Sequence, residues 1–305
     1  MKQTYQGKES WYCKKTKEVM EQQDINETLF LVEPPLDEAI TSFYHLFVPS
    51  DEEPVTRHVC PNLEMMLIFN FGVPVRISFH NSPLNTEVIS RTAVIGPLRQ
   101  MLNYQLLPGA DGLVVNFKFN GFQRLFGLPL TGLTGSEGTS AEILTDDDRF
   151  NSLWEKLAAL PTAEQRVDLL KQSALDLLKE NDQVLQTVIS NLAQFFNPRV
   201  DPVKAIAADT SLSERSIQLK FQKHTGYSVK ELLRFLRFKE VIAYILARSN
   251  QKIDIFDLIN THDYHDQSHL IKDFQYFLGL SPQQFIKNLN NGSFCVVADT
   301  YPQQP

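Results

Sequence analysis

The pattern that begins at Asp201 returns 53 residues later, and this repeat limits what the second half of the chain can fold into. In the first copy Asp201 and Pro202 form an N-cap and first-turn pair, and VKAIAAD follows as a short helix with one apolar face. A break at DTSL then precedes SERSIQLKFQKHTG, a second helical run that Ser213 can cap. In the second copy IDIFDLIN, the turn THDY and DQSHLIKDFQYFLG take the same places. Ser213 meets Asp266, Ile217 meets Leu270, Phe221 meets Phe274, Gly226 meets Gly279 and Ser228 meets Ser281. A shared cap, two core positions, a C-terminal glycine and a following serine mark a duplicated unit of short helix, tight turn and second helix. Between the copies, VKELLRFLRFKEVIAYILAR reads as one continuous helix, about 18 residues or ~27 Å long.

Two second helices held at that separation can enter successive major-groove turns of DNA, which lie ~34 Å apart. With Ile217 and Phe221 pointing inward, Arg215, Gln218, Leu219 and Gln222 share the opposite side of the first such helix. With Leu270 and Phe274 inward, Gln267, Ser268, Ile271 and Lys272 face outward on the second. Arg215 can bind guanine through two hydrogen bonds, Gln218 and Gln267 can pair with adenine, Lys272 can reach guanine or phosphate, and Leu219 can pack on a thymine methyl. Ser213, Lys220, Lys223 and Lys287 are the expected phosphate contacts. Charge gives this reading modest support. Residues 201–289 hold 12 Lys+Arg against 10 Asp+Glu, a net of +2, while the other 216 residues hold 17 against 26, a net of −9. Glu214, Asp266 and Asp273 are acidic residues expected near the groove face, where they would oppose phosphate.

On the stretches SLSERSIQLKFQKHTGYS and DQSHLIKDFQYFLGLSPQQF, residues 201–289 resemble the DNA-binding domain of the AraC/XylS family of transcriptional regulators. The resemblance implies sequence-specific binding to double-stranded DNA. It departs from the family at Leu219, where Arg is usual, at Ser211 and Asp263, where the turns usually carry glycine, and at Asn260, where a small Ala is usual. The segments PPLDEAITSFYHLF, RHVCPNLEMMLIFNFG and FNGFQRLFGLP are similar to the β-rich N-terminal domain of a subset of the family. That second resemblance names no ligand. With the two-domain layout it implies modulation at the N-terminal domain by an effector of unknown identity, and it leaves RNA polymerase and a second copy of the chain open as partners.

The first half carries its own signal. From about Thr28 to Phe126, short apolar runs such as LEMMLIFNFG, PVRISFH, TAVIGP and GLVVNFKFNG are bounded by Pro, Gly and Asn, the pattern of an all-β sandwich or barrel. LPLTGLTGSEGTS (128–140) reads as a loop or domain edge. Helical patterning follows in FNSLWEKLAAL, then from Thr162 and Gln165 to about Glu180 with Leu170, Ala174, Leu177 and Leu178 on its apolar face, and then in QVLQTVISNLAQFF. These helices either pack on the β domain or supply a dimer interface. The expected architecture is α+β and two-domain: a β-rich barrel or sandwich over 1–140, a helical connector over 141–197, an all-α domain over 198–289 with two helix-turn-helix units joined by a long helix, and a tail over 290–305.

Three cysteines, Cys13, Cys60 and Cys295, lack any short paired spacing, so neither a disulfide framework nor a zinc ribbon is expected. With no apolar signal core and no run of about 18 apolar residues, the expected place is the cytoplasm, with no membrane partner. THDYHDQSH holds His262, His265 and His269 with Asp263 and Asp266, but it spans a turn and a helix start, which favours a polar turn over a metal site. No GxSxG, HExxH, P-loop or strand-borne GxGxxG occurs. His58 and Cys60 could share a strand face as a nucleophile pair, against which an idle buried thiol is the simpler expectation. No enzyme activity, cofactor or metal is therefore expected. The rival to a DNA-binding regulator is a non-enzymatic sensor or interaction protein whose helix-turn-helix repeat no longer binds DNA.

Overall fold

Alternation of apolar and polar residues in the first half builds two antiparallel sheets that face each other. The computed structural model describes residues 25–80, 82–84, 87–128, 143–145, 148–180, 182, 186, 201–248 and 253–290. The ten strands among them are β1 (Asn26–Leu31), β2 (Ile40–Phe47), β3 (Val55–Val59), β4 (Met65–Asn70), β5 (Val75–Phe79), β6 (Glu87–Ile89), β7 (Thr92–Ile95), β8 (Leu102–Leu106), β9 (Asp111–Phe117) and β10 (Ile143–Thr145). One sheet runs β1-β2-β9-β4-β7-β10 and the other β3-β8-β5-β6.

Strand β9 shows how the pattern works. Leu113, Val115 and Phe117 fall on one face and join the core shared with three helices, while Val114 between them packs toward the core between the sheets. Those helices are α1 (Gly121–Phe126), α2 (Asp148–Ala158) and α3 (Ala163–Leu177). Thr162 caps α3 by accepting from the Gln165 N–H at 3.3 Å, as its sequence predicts. Leu170 and Ala174 are buried and Leu178 is half-buried. Leu177, expected on the same apolar face, is 44% exposed at the last residue of the helix. Asp111 ties α3 to the sheet by accepting from Arg166 and pairing with His45, both at 2.9 Å. The third expected helix, QVLQTVISNLAQFF, apart from Gln186, and the tail after Asn290 lie outside the described residues, as does nearly all of the loop at 128–140.

The repeat folds as two matching units. The first is α4 (Pro202–Asp209) and α5 (Glu214–Thr225), the joining helix is α6 (Val229–Ala247), the second unit is α7 (Ile255–Thr261) and α8 (Gln267–Leu278), and α9 (Pro282–Asn290) closes the domain. Asp201 caps α4 by accepting from the Val203 and Lys204 N–H groups. Ser213 accepts from Ser216 N–H at 3.2 Å and Asp266 from His269 N–H at 2.8 Å, so the paired caps do the same work. Gly226 and Gly279 end α5 and α8 with φ of +78° and +69°, a conformation that costs a residue bearing Cβ about 1–2 kcal/mol. The paired serines also match: Ser228 forms a reciprocal capping box with Glu231, and Ser281 exchanges the same two bonds with Gln284. Phe221 and Phe274 are fully buried. No helix among the described residues is long and apolar enough to cross a membrane.

Candidate nucleic-acid interface

Among the described residues, the polar sides of α5 and α8 are open to solvent. Arg215, Gln218, Gln222 and Lys223 are exposed along α5, with Leu219 among them at 58% exposure. On α8, Gln267, Ser268 and Lys272 are exposed and Ile271 is half-buried. Gln275, also exposed, extends the same row at i+7 from Ser268, a spacing visible in the sequence. Lys287 on α9 is exposed as well.

Two residues stand differently from their sequence reading. Lys220, expected at phosphate, gives its ammonium to Asp182 at 3.1 Å, so in this arrangement the cation is occupied by the chain itself. Asp273, expected near the groove face, is 1% exposed and points into the domain. There it accepts from Arg234 Nε at 2.7 Å and Tyr264 OH at 2.9 Å, with the Arg237 guanidinium at 3.6 Å. Because Arg234 and Arg237 belong to α6, this carboxylate binds the second outward-facing helix to the joining helix, and it does not oppose phosphate. Glu214 and Asp266 remain at the exposed helix starts, Asp266 with its carboxylate engaged as a cap.

Of the two turn positions where glycine is usual, Asp263 has φ +53°, while Ser211 is not among the residues of positive φ. Only the second turn therefore needs a residue tolerant of the left-handed region, and Asp is one of the few besides glycine that is. The histidines of the second turn spread apart in their contacts. His262 lies 3.8 Å from Glu240, whereas His265 stacks on His269, whose Nε2 accepts from Arg237 at 3.2 Å. No group of three or more His, Cys, Asp or Glu among the described residues is placed to hold a metal ion. Cys60 is buried, and burial pushes its thiol up to about 12, while His58 bonds Asn103 at 2.6 Å on the neighbouring strand.

A set of contacts without local sequence signature joins the two halves. Cys60, Leu63 and Met101 of the β domain are part of the same apolar cluster as Phe221, Phe238 and Phe277. Met101 N–H donates to the Phe277 carbonyl at 2.9 Å, and His80 Nε2 bonds the Tyr276 carbonyl at 2.7 Å. Arg99 reaches the Gly226 carbonyl at 2.5 Å and Glu231 at 3.0 Å, and Gln123 lies 3.3 Å from His224. Burial pushes the Glu231 carboxyl up, but the Ser228 N–H and Arg99 outweigh it and hold it below the ordinary carboxylate value. Burial likewise lowers His80 and His224, so both imidazoles favour the neutral form. These interdomain contacts fall at the C-terminal ends of α5 and α8 and the start of α6, and among the described residues they leave the N-terminal halves of α5 and α8 uncovered.

Compared with known families, residues 206–288 match a helix-turn-helix domain. They are an AraC-type helix-turn-helix domain. The presence of an AraC-type domain supports a DNA-binding transcription regulator. Residues 30–138, the β-rich part that packs against the AraC-type domain, match a domain of unknown function, DUF6597. No curated protein matches the chain. Among solved structures, ToxT from Vibrio cholerae is similar over 86% of this chain and 98% of its own, at 10% identity and a TM-score of 0.37. The AraC-like transcriptional activator CuxR is similar over 71% and 86%, at 10% identity and a TM-score of 0.26. An oxalate decarboxylase is similar over 41% and 39%, at 12% identity and a TM-score of 0.23. Overlaps this loose carry no argument about activity.

Proposed function

We propose that this chain is a transcriptional regulator that reads two successive major-groove segments of duplex DNA with α5 and α8, and that its β domain modulates the reading. One observation carries the proposal: among the described residues, the outward faces begun by Arg215 and Gln267 are mostly polar and uncovered, although the β domain contacts both helices at their other ends. The 19-residue α6 joins the two units and is ~28 Å long, comparable with the ~34 Å between successive groove turns. Arg215, Gln218, Leu219, Gln267, Ser268, Ile271 and Lys272 are assigned to base edges, and Ser213, Lys223 and Lys287 to phosphate. Lys220 joins the phosphate contacts once it leaves Asp182. The working division is a regulatory part over 1–140, a connector over 141–197, the DNA-binding part over 198–289 and a tail. A small-molecule effector would act at the β domain, which already touches both reading helices.

Selection of bound sequences from a random duplex library, using the full chain, tests this reading. The expected product is a site of two conserved segments whose centres lie about one helical turn apart, ~10 base pairs. Binding is expected to weaken as salt rises, because phosphate contacts release counterions. The occupied Lys220 favours a second reading, a sensor whose repeat has lost DNA. Absence of binding at any salt would establish that second reading and reject the first.

A further inference from the structure

The β domain holds both outward-facing helices by the same kind of group, a backbone carbonyl at the C-terminal end. Such carbonyls have no partner within their own helix and lie at the negative end of its dipole, so they take donors, and cations above all. At α5 the donor is Arg99, whose Nη2 meets the Gly226 carbonyl at 2.5 Å while its Nε meets Glu231 in the first turn of α6 at 3.0 Å. One planar guanidinium thus spans the end of α5 and the start of α6, which fixes the angle between them. At α8 the donors are the Met101 N–H to the Phe277 carbonyl and His80 Nε2 to the Tyr276 carbonyl. His80 is itself braced: its N–H donates to the Met101 carbonyl at 2.9 Å, and its own carbonyl accepts from Asn103. Arg99 and Met101 are two residues apart, so a stretch of β-domain backbone at most ~7 Å long ties the ends of the two helices to each other.

We infer that Arg99, with Met101 and His80, is a positioning device that sets the distance and angle between the two DNA-reading helices, and so sets the spacing between the DNA segments that the chain accepts. This inference rests on the reading that α5 and α8 both bind DNA. Arg99 touches no base; it acts through the ends of the helices that do. Asp273 clasps α8 to the joining helix, and the Arg99 to Met101 stretch adds a tie that links the C-terminal ends of α5 and α8 through the β domain. A change in the β domain that shifts this stretch alters which spacing is read, without altering any residue on the reading faces.

The test measures the full chain against duplexes that carry both selected segments with zero to four base pairs inserted or removed between them, and against duplexes carrying one segment. Wild type is expected to prefer one spacing by tenfold or more. Arg99→Gln is expected to reduce that preference to threefold or less while its affinity for one-segment duplexes stays within twofold of wild type. Arg99→Lys, which keeps a donor to Gly226 but loses the fork to Glu231, is expected to fall between them. An unchanged spacing profile in Arg99→Gln overturns the inference, and so does an equal loss on one-segment and two-segment duplexes, the mark of a residue that only supports the fold. If Arg99→Gln does not fold, Glu231→Gln is measured in the same way, since glutamine keeps the cap on α6 and removes the charge that Arg99 meets. A wild-type chain that selects no two-segment site refutes the reading of the preceding subsection instead, so the two failures are distinguishable.

Discussion

Replacing Asp273 by alanine removes a carboxylate on which one phenol and two guanidinium groups converge. The consequences differ among the partners. Arg234 and Arg237 keep 34% and 29% of their side chains exposed, so water can take over their lost bonds. Tyr264 is buried, and its hydroxyl is left without an acceptor. An orphaned buried hydroxyl costs about 1–3 kcal/mol and a lost charge-assisted hydrogen bond about 1.5–3 kcal/mol, so Asp273→Ala is expected to destabilise the helical domain by about 3 kcal/mol. Asp273→Asn keeps one acceptor at the same place and is expected to cost about 1–2 kcal/mol. Urea unfolding followed by the helical circular-dichroism signal measures both, with the slope of the transition checked so that the comparison concerns stability alone. A groove-facing Asp273 makes the opposite forecast: its removal would leave the urea midpoint in place, tighten binding to bulk duplex DNA and steepen the salt dependence. That pair of results would refute the buried-clasp reasoning.

Arg215→Ala is expected to cost ~1–3 kcal/mol and to relax preference at one base pair, whereas Lys223→Ala is expected to weaken all duplexes alike and flatten the salt slope by about 1; equal losses on every sequence for Arg215→Ala would remove it from the base contacts. Phe221→Ala empties a fully buried site between α5 and its neighbours and is expected to cost about 3–5 kcal/mol in urea unfolding, with a loss under 1 kcal/mol contradicting its place in the core. Burial raises the Asp111 carboxyl, but His45 and Arg166 outweigh it, so Asp111, like Glu231, sits below its ordinary value in the folded chain. The unfolded chain then binds protons first as pH falls, and the stability these groups supply, fully present above about pH 5, is lost on acidification toward pH 3; Asp111→Asn and Glu231→Gln should each flatten that loss, and an unaltered pH profile in both would count against the assignment. Iodoacetamide at pH 8 should leave Cys60 unmodified in the native chain and alkylate it in denaturant, as mass spectrometry of its peptide would report; labelling of the folded chain would contradict a buried thiol held near 12.

What the sequence reveals here is what short-range chemistry encodes. Ser213, Asp266, Gly226 and Gly279 act on backbone groups within four residues, so their roles are readable from spacing and residue type alone. The same holds for the alternation in β9 and the cap at Thr162. Asp273 was legible in principle, since Leu270, Asp273, Phe274 and Phe277 form one inward stripe at helical spacing. Placing a charge inside that stripe requires knowing that Arg234 and Arg237, more than thirty residues earlier, arrive beside it, and no local pattern gives that. The occupation of Lys220 by Asp182 is hidden for the same reason, as are the bonds from Arg99, His80 and Met101, whose partners lie more than a hundred residues along the chain. Residues on the candidate DNA face could be named from the sequence; the grip on the back of those helices could not.

Cys60, Leu63 and Met101 are shared property: they are β-domain residues sunk in the apolar interior of the helical half. Anyone building a chimera that places these six helices behind a foreign sensory module would need to carry those three side chains, or shapes equal to them, across the junction. A graft joined only at the linker would present bare hydrocarbon where the old neighbour sat, and would be prone to clump in solution.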